Sequence, residues 1–254
     1  MLQDTHIHLH DIKINADIER FLGAVKSAGF KRLFAVAITP QDWPIIKSLS
    51  EQNPEIVPFF GIHPWFSDMA TEGWQEKIKP YLGLSHAGVG ETGLDKARKN
   101  IDFTFQEKIF KDHLNLAKDT GKPFMVHSVR AWGEALLLIK KHGDGLPFLA
   151  HSFNGSREVM LEIVKLGGYV SVSVKQFLKP DEAFKDVFTA IPHDRILIET
   201  DFPYQVKWTT PQDYIHAIQS GYETAALWRH EPIENFIKAV YDNGTVFTDR
   251  TLTR

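Results

Sequence analysis

Short apolar runs alternate along this chain with longer segments in which apolar residues return every three or four positions. The short runs predict strands at about 2–8, 32–38 (RLFAVAI), 56–62 (IVPFFGI), 87–91 (AGVGE), 123–127 (PFMVH), 147–151 (PFLAH), 168–174 (GYVSVSV) and 195–200 (RILIET). The longer segments predict helices near 15–28, 41–52, 71–84, 101–120, 131–142, 156–166, 180–191 and 211–229. In the segment 101–120 the helical period shows in Phe103, Ile109, Phe110, Leu114 and Ala117, and TGKP then stops it with Gly and Pro. Runs such as RLFAVAI are apolar at consecutive positions, as parallel strands covered on both faces are. Eight strand–helix units in 254 residues match an α/β fold of the (β/α)8 TIM-barrel type. No Gly/Ser-rich linker or shift in composition divides the chain, so residues 1–254 are expected to form one domain. A doubly wound open sheet would need a Gly-rich phosphate turn after the first strand, where DTHIHLHD (4–11) stands instead.

Composition changes this picture in a few places. With 43% hydrophobic residues the chain can bury a large core, and a net charge of −3 gives no global positive field for nucleic acid. There is no cysteine, so disulfides are excluded and any metal must be held by nitrogen and oxygen. No apolar run reaches the ~18 residues of a membrane span. MLQDTHIH lacks the basic-then-apolar profile of a signal peptide. A cytoplasmic protein with no membrane association and no obligate protein partner is expected.

The chemistry gathers at the strand ends. DTHIHLHD places His6, His8 and His10 at every second position, and period two turns alternate side chains to one face of a strand. If 2–8 is a strand, Asp4, His6 and His8 look the same way, and two neutral imidazoles so placed can hold a divalent ion. His10 lies past the strand end and is not counted as a ligand. Glu91 ends the predicted fourth strand, His127 the fifth and His151 the sixth, while Asp201 follows the eighth. Barrel enzymes gather their catalytic groups at this end. Each residue alone has a plain structural explanation; their convergence at one end does not. Together they exceed the three protein ligands of a single catalytic zinc. They suit two ions about 3.5–4 Å apart that share a carboxylate. Strands one and eight are neighbours in a closed barrel, so His6, His8 and Asp201 can share one ion. Strands five and six are neighbours too, so His127 and His151 can share the other, with Glu91 bridging through its two oxygens.

DTHIHLHD, GIHPW (61–65), GVGETGLD (88–95), GKPFMVHSVRA (121–131), HSFNGS (151–156) and ETDFPY (199–204) together resemble the TatD family of metal-dependent deoxyribonucleases. The resemblance runs from residue 4 to about 204, with a weaker echo in DNGTVF (242–247). It implies a TIM barrel of the metallo-dependent hydrolase superfamily that cleaves DNA phosphodiesters with two divalent ions (zinc, manganese or magnesium) and a metal-activated water. It also implies the same division of ligands, with His6, His8, Glu91 and Asp201 on one ion and Glu91, His127 and His151 on the other. The chain departs from the family in Lys96, where an aromatic often follows GLD. Arg130 stands one place later than usual, and QVKWTTPQDY (205–214) replaces an Arg-Gly-Asn-Glu-Pro-like loop.

Around the ligands, Asp201 is the candidate to orient a water and take its proton, and it acts with Glu91 as the catalytic pair. On the substrate side, His63 could donate to a phosphate oxygen or a leaving group, and Arg130 could clamp a phosphate with its planar fork. Asp95 is placed with them, or behind them as the group that fixes the tautomer of a metal-binding imidazole. Ser152, Asn154 and Ser156 form a polar loop that could touch substrate or cap a helix. Trp65, Phe66, Phe202, Tyr204 and Trp208 lie on rim loops where bases could stack. Lys96, Arg98, Lys99, Arg130 and Lys175 form a candidate basic patch for DNA or another phosphodiester. The alternative class is a barrel amidohydrolase acting on a small cyclic amide, ester or lactone. Such enzymes commonly bridge their metals with a carboxylated Lys on strand four, where this chain has Glu91. A protein that binds metal or nucleic acid without turnover is a third class, disfavoured by the intact ligand set.

Overall fold

A computed structural model describes residues 1–11, 17–178, 181–205 and 209–249. They fold around one eight-stranded parallel sheet whose spatial order follows the chain. Its strands are β1 (Leu2–Ile7), β2 (Phe30–Val36), β3 (Ile56–Phe60), β4 (Gly88–Asp95), β5 (Phe124–Val129), β6 (Phe148–Ala150), β7 (Tyr169–Ser173) and β8 (Ile196–Glu199). The sheet curls until its two edges meet. The Asp201 N–H donates to the His6 carbonyl at 3.0 Å and the His8 N–H to the Phe202 carbonyl at 2.9 Å, around a parallel bridge between Ile7 and Phe202. This is the predicted (β/α)8 barrel.

The helices follow as α1 (Ile18–Ser27), α2 (Trp43–Gln52), α3 (Trp74–Leu82), α4 (Phe103–Thr120) and α5 (Trp132–His142). After them come α6 (Arg157–Lys165), a short α7 (Lys175–Leu178), α8 (Glu182–Ala190), α9 (Pro211–Trp228) and α10 (Ile233–Thr248). Local chemistry sets their ends. The Asp102 side chain accepts from the N–H groups of Thr104 and Phe105 to start α4, and Gly121, at φ 66°, ends it in a left-handed turn. Ser156 starts α6 as an ordinary N-cap, which is its whole visible role. The first residues of the predicted helix 15–28, the start of 180–191 and Trp208 lie outside the described residues.

Three features differ from the sequence reading, and each has a physical reason. β4 runs to Asp95, because Thr92–Asp95 stay paired with Val126–Val129 of β5, so Glu91 is mid-strand. Gly93 permits that pairing: at φ 145°, a Cβ there would stand 1.9 Å from the His127 carbonyl oxygen. Second, Asp4 does not face the same centre as His6 and His8. The register of β1 on β2 shifts between Asp4 and Ile7, and the Asp4 carboxylate accepts instead from Thr200 and the Tyr214 hydroxyl of α9. Third, the short α7 and the long α10 have no counterpart among the predicted helices; α10 covers the barrel floor. Its Phe247 packs on Phe34, Phe59 and Tyr169 at ring distances of 6.1, 5.9 and 5.5 Å, closing the end of the barrel opposite the histidines. No helix among the described residues is long and apolar enough to cross a membrane.

Candidate metal centre

Glu91 stands at the centre of the open end. Its Oε2 lies 3.2 Å from His6 Nε2 and 3.9 Å from His8 Nε2. Its Oε1 lies 3.0 Å from His127 Nδ1 and 3.4 Å from both His63 Nε2 and His151 Nε2. One buried carboxylate thus faces two sets of imidazoles, one set per oxygen. Asp201 closes the first set, with Oδ1 3.0 Å from His8 Nε2. His6 also stacks on His151 at a ring distance of 3.7 Å.

The backbone turns sharply where these side chains leave the strands. Arg130, Ser152 and Asp201, just past β5, β6 and β8, have φ of 53°, 46° and 54°. Such left-handed conformations cost non-glycine residues free energy and cluster at functional sites. At Asp201 the turn is held by its N–H bond to His6, which ties the carboxylate to the strand carrying the first histidines.

Carboxylates behind the cluster fix its rings. Glu199 Oε1 accepts from His151 Nδ1 at 2.8 Å and leaves Nε2 facing Glu91. Asp95 Oδ2 lies 3.3 Å from His127 Nε2 and accepts from the Trp65 indole at 2.5 Å, leaving His127 Nδ1 facing Glu91. This back-side arrangement is the usual means of orienting metal-binding imidazoles. Asp95, read from sequence either with the substrate residues or behind a metal-binding imidazole, takes the second place, buried behind His127. Glu199 was missed; its signal was an acid at the end of β8, directly before Thr200-Asp201.

Charge follows from this geometry. Burial opposes ionisation of Glu91 and Asp201, yet the surrounding imidazoles hold both well below the ordinary carboxylate range. Burial likewise opposes the charge of His151, but Glu199, Glu91 and Asp201 outweigh it and raise the group to about 10. His63 is carried down to about 4, chiefly by burial. A centre that draws a histidine proton so strongly is short of positive charge. His6 Nε2 and His8 Nε2 are 3.2 Å apart with carboxylates on both flanks, and a cation satisfies that donor set better than one shared proton does. The residues therefore fit divalent metal.

Of the six ligands read from sequence, His6, His8 and Asp201 form the compact triad expected of them. His127 and His151 do not form a triad with each other; their rings are 5.9 Å apart, and Glu91 joins them. His127 groups instead with Glu91 and His63, and His151 with His6 and Glu199. His63 thus sits against the cluster rather than on the rim. Arg130 is exposed and is not among the residues lining the cavity above the centre. That cavity, about 1170 Å³, is lined by Trp65, Arg98, Ser152, Asn154, Lys175 and Tyr204 among others. Phe202 is fully buried against Phe21 and Tyr214, so it offers no face for stacking.

Barrel, ligand cluster and cavity at the strand ends together define a metal-dependent hydrolase. Residues 3–247 match the family model described as TatD related DNase. The chain belongs to this TatD family. It is 31% identical over 215 residues to the uncharacterized metal-dependent hydrolase YabD of Bacillus subtilis, covering 80% of this chain and 81% of that one. The crystal structure of YjjV, a TatD homologue from Escherichia coli K12, superposes with a TM-score of 0.88 at 22% identity over 97% of both chains. A TatD-family hydrolase from Entamoeba histolytica gives 0.85 at 19%, again over 97% of each.

Proposed function

We propose that the protein is a deoxyribonuclease that hydrolyses DNA phosphodiester bonds, on single strands or at ends, with two divalent ions. The observation that carries this reading is the split of Glu91, one oxygen toward His6 and His8 and the other toward His127, His151 and His63. His6, His8, Glu91 and Asp201 would hold one ion and Glu91, His127 and His151 the other. When bound, the ions supply an activated water and neutralise charge on the phosphoryl oxygens.

The remaining work falls to the chain's own groups. Asp201 accepts the proton of the attacking water, and the surrounding imidazoles hold it ionised. Gln205 holds the second oxygen of that carboxylate at 2.7 Å, so the acceptor does not swing. His63 is neutral at physiological pH, and its Nδ1 accepts from the Trp65 backbone N–H at 3.1 Å. That leaves the proton to Nε2, which faces His127 Nδ1 at 3.2 Å and Glu91 Oε1 at 3.4 Å and would donate to a phosphate or leaving-group oxygen arriving there. The amidohydrolase reading is weaker, because the bridging position on β4 is Glu91 and not a Lys.

The test is hydrolysis by purified protein with Mg²⁺, Mn²⁺ or Zn²⁺ of single-stranded DNA, RNA, p-nitrophenyl phosphodiesters and a lactone panel. DNA cleavage that EDTA abolishes is the expected result. Lactone hydrolysis without phosphodiester cleavage overturns the reading.

A further inference from the structure

The cavity over the centre carries two exposed cations, Arg98 and Lys175, and among the described residues neither is in an ion pair. Lys96, its neighbour in the candidate patch, is committed to Glu134. Arg98 differs from an ordinary rim arginine in being held. Its guanidinium lies 3.8 Å over the Trp65 ring. The indole is itself pinned, donating from Nε1 to Asp95 Oδ2 at 2.5 Å, and that carboxylate oxygen also lies 3.3 Å from His127 Nε2. The segment carrying the arginine is tied to the same carboxylate, because the Ala97 N–H donates to Asp95 Oδ1 at 2.7 Å.

We propose that Arg98, stacked on Trp65, is the specificity residue that binds a second phosphate of the substrate, the one next to the phosphodiester being cut. The assignment rests on the phosphodiesterase reading above. A stacked guanidinium spends its face on the indole and keeps its in-plane N–H fork free, the edge that binds phosphate in a bidentate way. Because Trp65 and Ala97 both hang from Asp95, the fork stands at a fixed offset from His127. A fixed cation one indole away from the histidine cluster measures substrate length: it rewards a chain with two successive phosphates over an isolated diester. The same stack covers one face of Trp65, so a nucleobase cannot lie there without displacing the arginine.

The test compares a thymidine dinucleotide bearing a 5′-phosphate with bis(p-nitrophenyl) phosphate, which has no second phosphate, using metal-loaded protein. In Arg98→Ala the preference for the dinucleotide, as a ratio of kcat/KM values, should fall roughly tenfold, mostly through KM, as expected for one lost charge-assisted pair. Arg98→Lys should recover only part, since an ammonium has no fork. A second readout needs no turnover. Affinity for a phosphorothioate thymidine tetranucleotide should lose about 0.7 of its log–log salt slope in Arg98→Ala. Wild-type cleavage of both diesters with an unchanged ratio and salt slope in the variant overturns the role of Arg98 and leaves the phosphodiesterase reading intact. A wild type that cuts neither diester and does not bind the tetranucleotide overturns both.

Discussion

Glu199 reaches 2.8 Å to Nδ1 of His151, and both side chains are buried, so the ring is fixed with Nε2 toward Glu91. The second oxygen of Glu199 has no hydrogen-bond partner among the described residues. The carboxylate orients His151 and raises its basicity. Glu199→Gln keeps the shape but presents a weaker acceptor. Affinity for the ion near His151 should fall about 10- to 100-fold, as for other lost back-side partners. Metal titration by calorimetry on wild type and variant checks this; equal affinities would reduce Glu199 to a packing role.

Asp201 and Glu91 should separate under parallel substitution. Asp201→Asn removes the proposed proton acceptor yet leaves Glu91, His127 and His151 in place, so at least one ion should remain. Turnover should fall by roughly 10²–10⁴, the usual cost of losing a general base. Glu91→Gln strikes the carboxylate that faces both sets of imidazoles, so metal content itself should drop. Elemental analysis beside kinetics distinguishes the two. A metal-replete Asp201→Asn protein with wild-type turnover would leave Asp201 as a ligand only.

Gly93 of β4 lies opposite His127 of β5, with no room for a side chain. An added Cβ would meet the His127 carbonyl oxygen at 1.9 Å on a backbone with φ of 145°. Gly93→Ala should therefore lose more than about 2 kcal/mol of stability through strain and the strand displacement needed to relieve it. Because the displaced residue is His127, metal content should fall with it. Denaturant melts with parallel metal analysis read both effects, and a wild-type midpoint would show that the strands can part without cost.

His113 links pH to stability away from the ligand cluster. Its Nδ1 donates to the Ile109 carbonyl at 2.7 Å and its Nε2 accepts from the Ile62 N–H at 3.0 Å, so the folded protein needs it neutral. Burial lowers it from 6.5 to about 4. Between pH 6.5 and 4 the unfolded chain takes up a proton here that the folded chain refuses, so stability falls as the pH falls. The full effect is on the order of 3 kcal/mol. His113→Gln, which cannot titrate, should be less stable at neutral pH but should show a shallower loss across that window. Urea midpoints at several pH values test the slope; parallel curves would place the titration elsewhere.

The barrel and the five strands that carry the candidate ligands were legible because two-sided burial leaves apolar runs that end abruptly in a polar residue. His6, His8, His127, His151 and Asp201 stand out in that pattern. Glu91 was found too, although β4 continues past it, since glycines on either side hid the continuation. What period and spacing do not carry is depth. His63 was read as a substrate residue, yet the Trp65 N–H pins its ring with Nε2 toward Glu91. Arg130 and Arg98 are both basic residues beyond strand ends, and only the fold shows which one lines the cavity. Register was equally hidden: strict alternation would put Asp4 beside His6, but the shift in β1 turns it to Tyr214.

Phe247 of α10 stacks against Phe59 low in the barrel, and a few residues earlier Val240 accepts a hydrogen bond from the Gln3 side chain, 237 residues away in sequence. A ring whose stopper comes from so far along the chain cannot dry out piece by piece. The entropy of closing nearly the whole loop must be met before that contact returns anything. The floor of the barrel is therefore complete only once β1 and α10, drawn from distant parts of the chain, have met.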